Sequence, residues 1–155
     1  MSHSLRRLLH QLFPIIWAIS SAFMAWEGLR IVTGSRYPMM VVTSGSMEPA
    51  LQRGDLILLW NRKGPICAGE IPVIWSPGKP LPMVHRAISV HYRARTDGHI
   101  EQRILTKGDN NAIDDRFMYL PGQSFAPRED VVGLVWGYVP KLGWASLVLQ
   151  GGLWR

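Results

Sequence analysis

The pattern of apolar and polar positions divides the chain into three unequal stretches. Across positions 11–26 no residue is charged, with Arg6 and Arg7 ahead of the run and Glu27 and Arg30 behind it. At 1.5 Å per residue that run makes about 24 Å of helix, and continuing it through Leu29, Ile31 and Val32 reaches the roughly 30 Å hydrocarbon core of a bilayer. Trp17 and Trp26 suit the two membrane interfaces, and Arg30 is long enough to reach past the acyl chains. Where a removable signal would carry a small-residue cleavage site, the chain reads Trp26-Glu27-Gly28-Leu29-Arg30. The pattern therefore predicts an uncleaved single span. Arg6 and Arg7 on one flank balance Arg30 and Arg36 on the other, so charge leaves the orientation open.

Beyond Gly34 the period changes from helical to short β-rich runs punctuated by Gly, Pro, Asn and Asp. Strands are predicted at 39–43, 55–61, 71–75, 83–92, 102–106 and 131–138. Gly64-Pro65, Pro77-Gly78-Lys79-Pro80 and Pro121-Gly122 mark turns between them. No stretch of this region sustains a helical period. The expected fold is mostly β: a compact antiparallel, barrel-like domain, with one N-terminal transmembrane helix and a short apolar C-terminal segment. The organisation follows as a tail at 1–10, a signal-anchor at 11–33, a β-rich domain at 34–140 and an apolar segment at 141–155. Within that last segment the apolar run 142–149 is too short to span a bilayer; it either packs on the domain or rests at the bilayer surface.

Composition changes this picture little. With 47% hydrophobic and 18% charged residues, the 155-residue chain is too apolar for disorder and too charged for a multi-span protein. The formal charge of +6 comes from scattered Arg and Lys, in pairs no longer than Arg6-Arg7 and Arg62-Lys63. No nucleic-acid-binding pattern accompanies it, so nucleic acid is not expected as a partner. Cys67 is the only cysteine, which rules out a disulfide within the chain and reads as structural in its Gly-Pro-rich setting.

Five short motifs could carry chemistry. Val41-Val42-Thr43-Ser44-Gly45-Ser46-Met47-Glu48-Pro49 places hydroxyls at the end of a strand, where the backbone turns. A serine needs a base to become a nucleophile, and alone this is an ordinary Ser/Gly turn. Gln52-Arg53-Gly54-Asp55 reads as a turn entering a strand rather than as an adhesion signal. Met83-Val84-His85-Arg86-Ala87 puts His85 on the face of its strand shared by Met83 and Ala87. Histidine is the natural base near neutral pH, although a lone strand histidine is more often structural. Lys107-Gly108-Asp109-Asn110-Asn111-Ala112-Ile113-Asp114-Asp115-Arg116 gathers three carboxylates in a loop without the ligand spacing of a calcium-binding EF-hand. Asp130-Val131-Val132-Gly133 is a polar turn into the last strand.

Each motif is weak singly, but their order resembles the catalytic subunit of the endoplasmic reticulum signal peptidase complex, the eukaryotic and archaeal branch of type I signal peptidases. The resemblance covers nearly the whole chain. It implies a Ser-His-Asp endopeptidase with Ser46 as nucleophile and His85 as general base, where the bacterial branch uses lysine. It makes both Asp109 and Asp115 important, with Asp115 favoured as the partner of His85 and Asp109 as a loop organiser. The Ser46 backbone N–H and the Ser44 hydroxyl would form the oxyanion hole. It further implies no cofactor and no metal. The implied partners are signal peptides of preproteins, accessory subunits of the complex and the lipid bilayer, with a single-pass position in the reticulum membrane and a lumenal catalytic domain. The longer apolar C-terminal segment usual in the family is here a short run. Two other readings remain: an inactive anchored subunit of the same complex, and a self-cleaving repressor-type regulator, which would carry lysine in place of His85 and a DNA-binding N-terminus.

Overall fold

The computed structural model describes residues 3–61, 64–94 and 98–149. Its first element, α1 (His3–Thr33), is a continuous helix with Pro14 inside it. The helix begins ahead of the uncharged run because Leu and Arg are good helix formers, so it extends through a flank that hydropathy alone marks as a tail. The portion His10–Thr33 is long and apolar enough to cross a membrane, and none of its most apolar window is buried against the rest of the chain. A core helix of a soluble domain would bury such a face. Glu27 and Arg30 pair at 2.6 Å one turn apart, so the acidic residue near the end of this apolar stretch has its counter-charge on the same helix.

The body is built from β1 (Met39–Val41), β2 (Leu56–Trp60), β3 (Pro72–Ile74), β4 (Met83–Val84), β5 (Arg86–Ala94), β6 (Ile100–Lys107), β7 (Ala126–Pro127) and β8 (Val131–Val139). One five-stranded sheet runs β1-β2-β8-β3-β4 and a three-stranded sheet runs β5-β6-β7. Each paired strand is antiparallel to its neighbour, with Met39 opposite Leu58, Val73 opposite Val84 and Arg86 opposite Lys107. The larger sheet curls until its two edge strands, β1 and β4, line the same cleft. Strand β2 reads Leu-Ile-Leu-Leu-Trp; its Ile57 and Leu59 are buried, while the alternate side chains are half-buried.

Two apolar clusters form the core. Val42, Met47, Leu51, Ile57, Leu59 and Val73 pack beneath the curl of the larger sheet. Ile66, Ile74, Ala87, Ile104, Leu105, Tyr119, Ala126 and Val131 fill the space between the two sheets. Each set holds one side of the site described below.

The architecture is the mostly antiparallel, partly closed one expected, with one difference that matters for function. The run 83–92, expected as one strand, is broken at His85: β4 pairs with β3 in the larger sheet, and β5 pairs with β6 in the smaller one. Apolar alternation reports an extended backbone, which both segments have; a change of pairing partner leaves no mark on it. The two-residue β7, with Pro127 at the sheet edge, is too short to give a period and was not anticipated.

The apolar run 142–149 packs on the domain. It contains a short helix, α2 (Trp144–Leu149), with Leu147 buried. Arg53-Gly54-Asp55 is the turn that receives it. Gly54 has φ +91°, and a Cβ there would fall 2.3 Å from Trp144 Nε1, so only glycine fits under the indole. The Asp55 carboxylate accepts from the backbone N–H of Gln52 at 2.8 Å and of Lys141 at 3.0 Å. The last six residues of segment 141–155 and the first two of the tail lie outside the described residues.

Candidate active site

Ser46 stands on the turn that follows β1. Val42 ties the start of this turn to the strand-entry loop, its N–H donating to the Asp55 carbonyl at 2.9 Å. Met47 and Leu51 plug its far side into the core, and the Leu51 N–H closes back on the Met47 carbonyl at 2.9 Å. The Glu48–Pro49 peptide bond within it is cis. The turn is therefore held by apolar burial beneath and backbone hydrogen bonds at both ends, with the hydroxyl of Ser46 on its outer side.

The second wall is the 107–111 loop. Gly108 passes so close to the Ser46 turn that a Cβ would lie 2.7 Å from the Ser46 carbonyl oxygen and 2.7 Å from Asn111 Nδ2. This approach lets the Asn110 N–H donate to the Ser46 carbonyl at 2.9 Å and the Asn110 side chain donate to the Gly45 carbonyl at 3.2 Å. Asp109 does not face the serine. It takes a two-pronged ion pair from Arg86, Nε to Oδ1 at 2.9 Å and Nη2 to Oδ2 at 2.7 Å, while Arg86 Nη1 reaches the Gly69 carbonyl. The Arg86 guanidinium holds the Asp109 carboxyl below its ordinary range, and Asp109 in turn raises the proton affinity of the guanidinium.

His85 sits at the gap between β4 and β5, buried, with its ring directed between these two walls. Its Nε2 is 3.0 Å from Ser46 Oγ and its Nδ1 is 2.7 Å from Asp115 Oδ2. An ionised carboxylate only accepts, so Nδ1 carries the proton and Nε2 is left to accept from the serine hydroxyl. Asp115 begins a 3-10 turn (Asp115–Phe117) and is wholly buried. The adjacent Asp114 has a different task, capping that turn through the Arg116 N–H at 3.2 Å. Ser44 Oγ lies 3.2 Å from Ser46 Oγ on the solvent side. The three carboxylates of the loop thus go to an arginine, a backbone N–H and a histidine, and do not converge on one point as metal ligands do.

Two further residues join the site that the sequence did not single out. Thr106, at the end of the expected strand 102–106, donates from Oγ1 to Asp115 Oδ2 at 2.6 Å. Its hydroxyl and its backbone N–H both lie 2.9 Å from the Tyr119 hydroxyl. A threonine in a strand and a tyrosine after a turn are ordinary, and only the packing of β6 against the 3-10 turn brings them together.

A cleft of about 730 Å³ opens beside Ser46 and His85. It is bounded by β1 on one side, by Leu81, Pro82 and β4 on the other, and by Ser146 and Leu147 of α2. It is mainly apolar, with the Ser46–His85–Asp115 row at one end.

No family model matches the chain. It is 44% identical over 147 residues to the "Signal peptidase complex catalytic subunit SEC11" of Komagataella phaffii, an alignment covering 94% of this chain and 86% of that one. It is 46% identical over 150 residues to the sec11 subunit of Pyrenophora tritici-repentis, covering 96% and 84%. It is also 46% identical over 146 residues to the "Signal peptidase complex catalytic subunit SEC11C" of Canis lupus familiaris, covering 94% and 74%. The chain belongs to this family. Each of these alignments spans nearly all of the chain, 94% and 96% of it in the two fungal relatives.

Proposed function

We propose that this chain is a membrane-anchored serine endopeptidase that removes signal peptides from secretory and membrane preproteins in the endoplasmic reticulum. Ser46 Oγ attacks the scissile carbonyl while His85 Nε2 takes its proton; Asp115 holds the imidazole by Nδ1 and stabilises its charged form. The tetrahedral oxyanion is received by the Ser46 backbone N–H and the Ser44 hydroxyl. The imidazolium then gives its proton to the leaving amine, leaving an acyl ester on Ser46. A water deprotonated by the same Nε2 attacks that ester and frees the enzyme. The substrate is an extended segment with small residues just before the cut, lying in the cleft between the edges of β1 and β4, where unpaired backbone groups can add a strand. Accessory subunits of the complex and the bilayer are the partners, and the catalytic domain is lumenal, so that the anchor keeps the site beside the membrane that delivers the peptide.

The observation carrying this reading is the hydrogen-bonded row from Ser46 through His85 to Asp115, at 3.0 and 2.7 Å, at the end of an apolar cleft. The test is cleavage of a secretory precursor by the assembled complex in detergent, comparing wild type with Ser46→Ala at matched expression and assembly. Loss of product in the variant alone is the expected result. Equal cleavage would make Ser46 a turn residue and this chain an inactive anchored subunit.

A further inference from the structure

The Asp115 carboxylate receives only two hydrogen bonds among the described residues, and both fall on one oxygen. Oδ2 accepts from His85 Nδ1 at 2.7 Å and from Thr106 Oγ1 at 2.6 Å, while Oδ1 is buried with no partner. A wholly buried carboxylate therefore depends on Thr106 for half of the contacts that orient it and favour its charge. Thr106 is itself fully buried, and its rotor is set from behind. The Thr106 N–H donates to the Tyr119 hydroxyl at 2.9 Å, which occupies that oxygen as an acceptor and leaves its proton to point at Thr106 Oγ1, also 2.9 Å away. Thr106 Oγ1 then has one proton to give, and the carboxylate lies in line for it. Two O–H donors thus run in one direction, from Tyr119 to Thr106 and from Thr106 to Asp115, while the Thr106 N–H returns to the Tyr119 oxygen. The Tyr119 phenol, pushed above its ordinary range by burial, keeps its proton throughout the working pH range.

We infer that Thr106, backed by Tyr119, is a positioning residue of the peptidase: it holds Asp115 Oδ2 on His85 Nδ1 and shares the carboxylate's charge, so that His85 stays a neutral base. Without the threonine hydroxyl, the carboxylate has only the imidazole to answer its charge. Either member of the His85–Asp115 pair then takes up a proton more readily, whichever holds it, and the base is lost at higher pH. The other charged groups near the pair are Arg86 and Asp109, bound to each other, Lys107 at the end of β6, and Asp114 beside the 3-10 turn; Glu48 lies against Gly45 on the Ser46 turn. The Thr106 hydroxyl bonds to Asp115 and Tyr119 and to none of these side chains.

This inference rests on the triad reading, and its test separates the two. Thr106→Val keeps the shape and removes the hydroxyl; Thr106→Ser keeps the hydroxyl. Both are assayed as the full chain in the assembled complex, cleaving a secretory precursor between pH 5 and 8, beside Ser46→Ala and His85→Ala. Thr106→Val is expected to lower kcat about 10- to 100-fold, the range of a hydrogen bond to a charged group, with KM changed less than about two-fold. The acid limb of its kcat/KM profile moves to higher pH, and Thr106→Ser recovers most of the rate and the limb. Wild-type kcat and acid limb in Thr106→Val, with Ser46→Ala and His85→Ala inactive, would overturn the role of Thr106 and leave the triad standing. Equal losses in Thr106→Val and Thr106→Ser, in step with their melting temperatures, would make the residue structural only. Full activity of Ser46→Ala would instead bring down the triad reading itself.

Discussion

Replacing Asp115 by asparagine tests the site most sharply, because the two ways of seating the amide both fail for reasons visible in the structure. If the amide oxygen takes the place of Oδ2, it still accepts from His85 and Thr106, but the NH2 group then falls where Oδ1 is buried without a partner. Burying donors there unpaired costs about 1–3 kcal/mol. If the amide turns over, its NH2 faces His85 Nδ1, which must then accept. The ring proton moves to Nε2, the atom 3.0 Å from Ser46 Oγ, and the base is in the wrong tautomer. Either way the imidazolium formed in the transition state loses its counter-charge. The expected fall in kcat is about a thousand- to ten-thousand-fold, or roughly 4–5.5 kcal/mol of transition-state stabilisation. The assay is precursor cleavage by the assembled complex, with Asp109→Asn run beside it. Asp109 faces Arg86, so its variant should retain far more activity, within about ten-fold of wild type, the scale of a lost ion pair of about 1 kcal/mol. Activity of Asp115→Asn within ten-fold of wild type would refute the assignment, as would a folded Asp109→Asn that is the more damaged of the two.

Two other outcomes follow from the same geometry. Gly108→Ala should force the 107–111 loop off the Ser46 turn, since its Cβ would lie 2.7 Å from the Ser46 carbonyl oxygen; we expect a loss of about 1–3 kcal/mol in stability together with slower cleavage. A variant with wild-type melting temperature and rate would show that the loop gives way freely. For the Asp109–Arg86 pair, the folded carboxyl lies below its unfolded value of about 3.9, so its contribution is present above that pH and is lost as pH falls through the folded value. The melting-temperature difference between wild type and Asp109→Asn should therefore hold steady from about pH 7 to 5 and shrink below about pH 4. A difference that grows on acidification would contradict the pairing.

Much of this molecule is legible along the chain because it depends on local pattern. The uncharged run ahead of Glu27 specifies a long apolar helix, since in helical geometry each residue adds a fixed rise and no partner is needed to satisfy the backbone. Short alternating runs between Gly and Pro turns specify antiparallel strands. Ser46, His85, Asp109 and Asp115 stand in motifs whose order resembles a known family, so they could be named as candidates before their positions in space were known.

What decided the rest is contact between residues distant in sequence. Ser46 and His85 are 39 residues apart and His85 and Asp115 are 30 apart; no period relates them, and only the crossing of the chain from the larger sheet to the smaller at His85 brings them into line. Asp109 and Asp115 look alike as letters, and the packing gives one to Arg86 and the other to His85. Thr106 and Tyr119 carried no signal, because a threonine in a strand and a tyrosine in a core are common for many reasons. The run 142–149 could have lain on a membrane or on the domain, and Trp144 over Gly54 chose the domain. Local sequence determines which conformation each segment prefers, while hydrogen bonds such as these exist only once burial has brought their partners within about 3 Å.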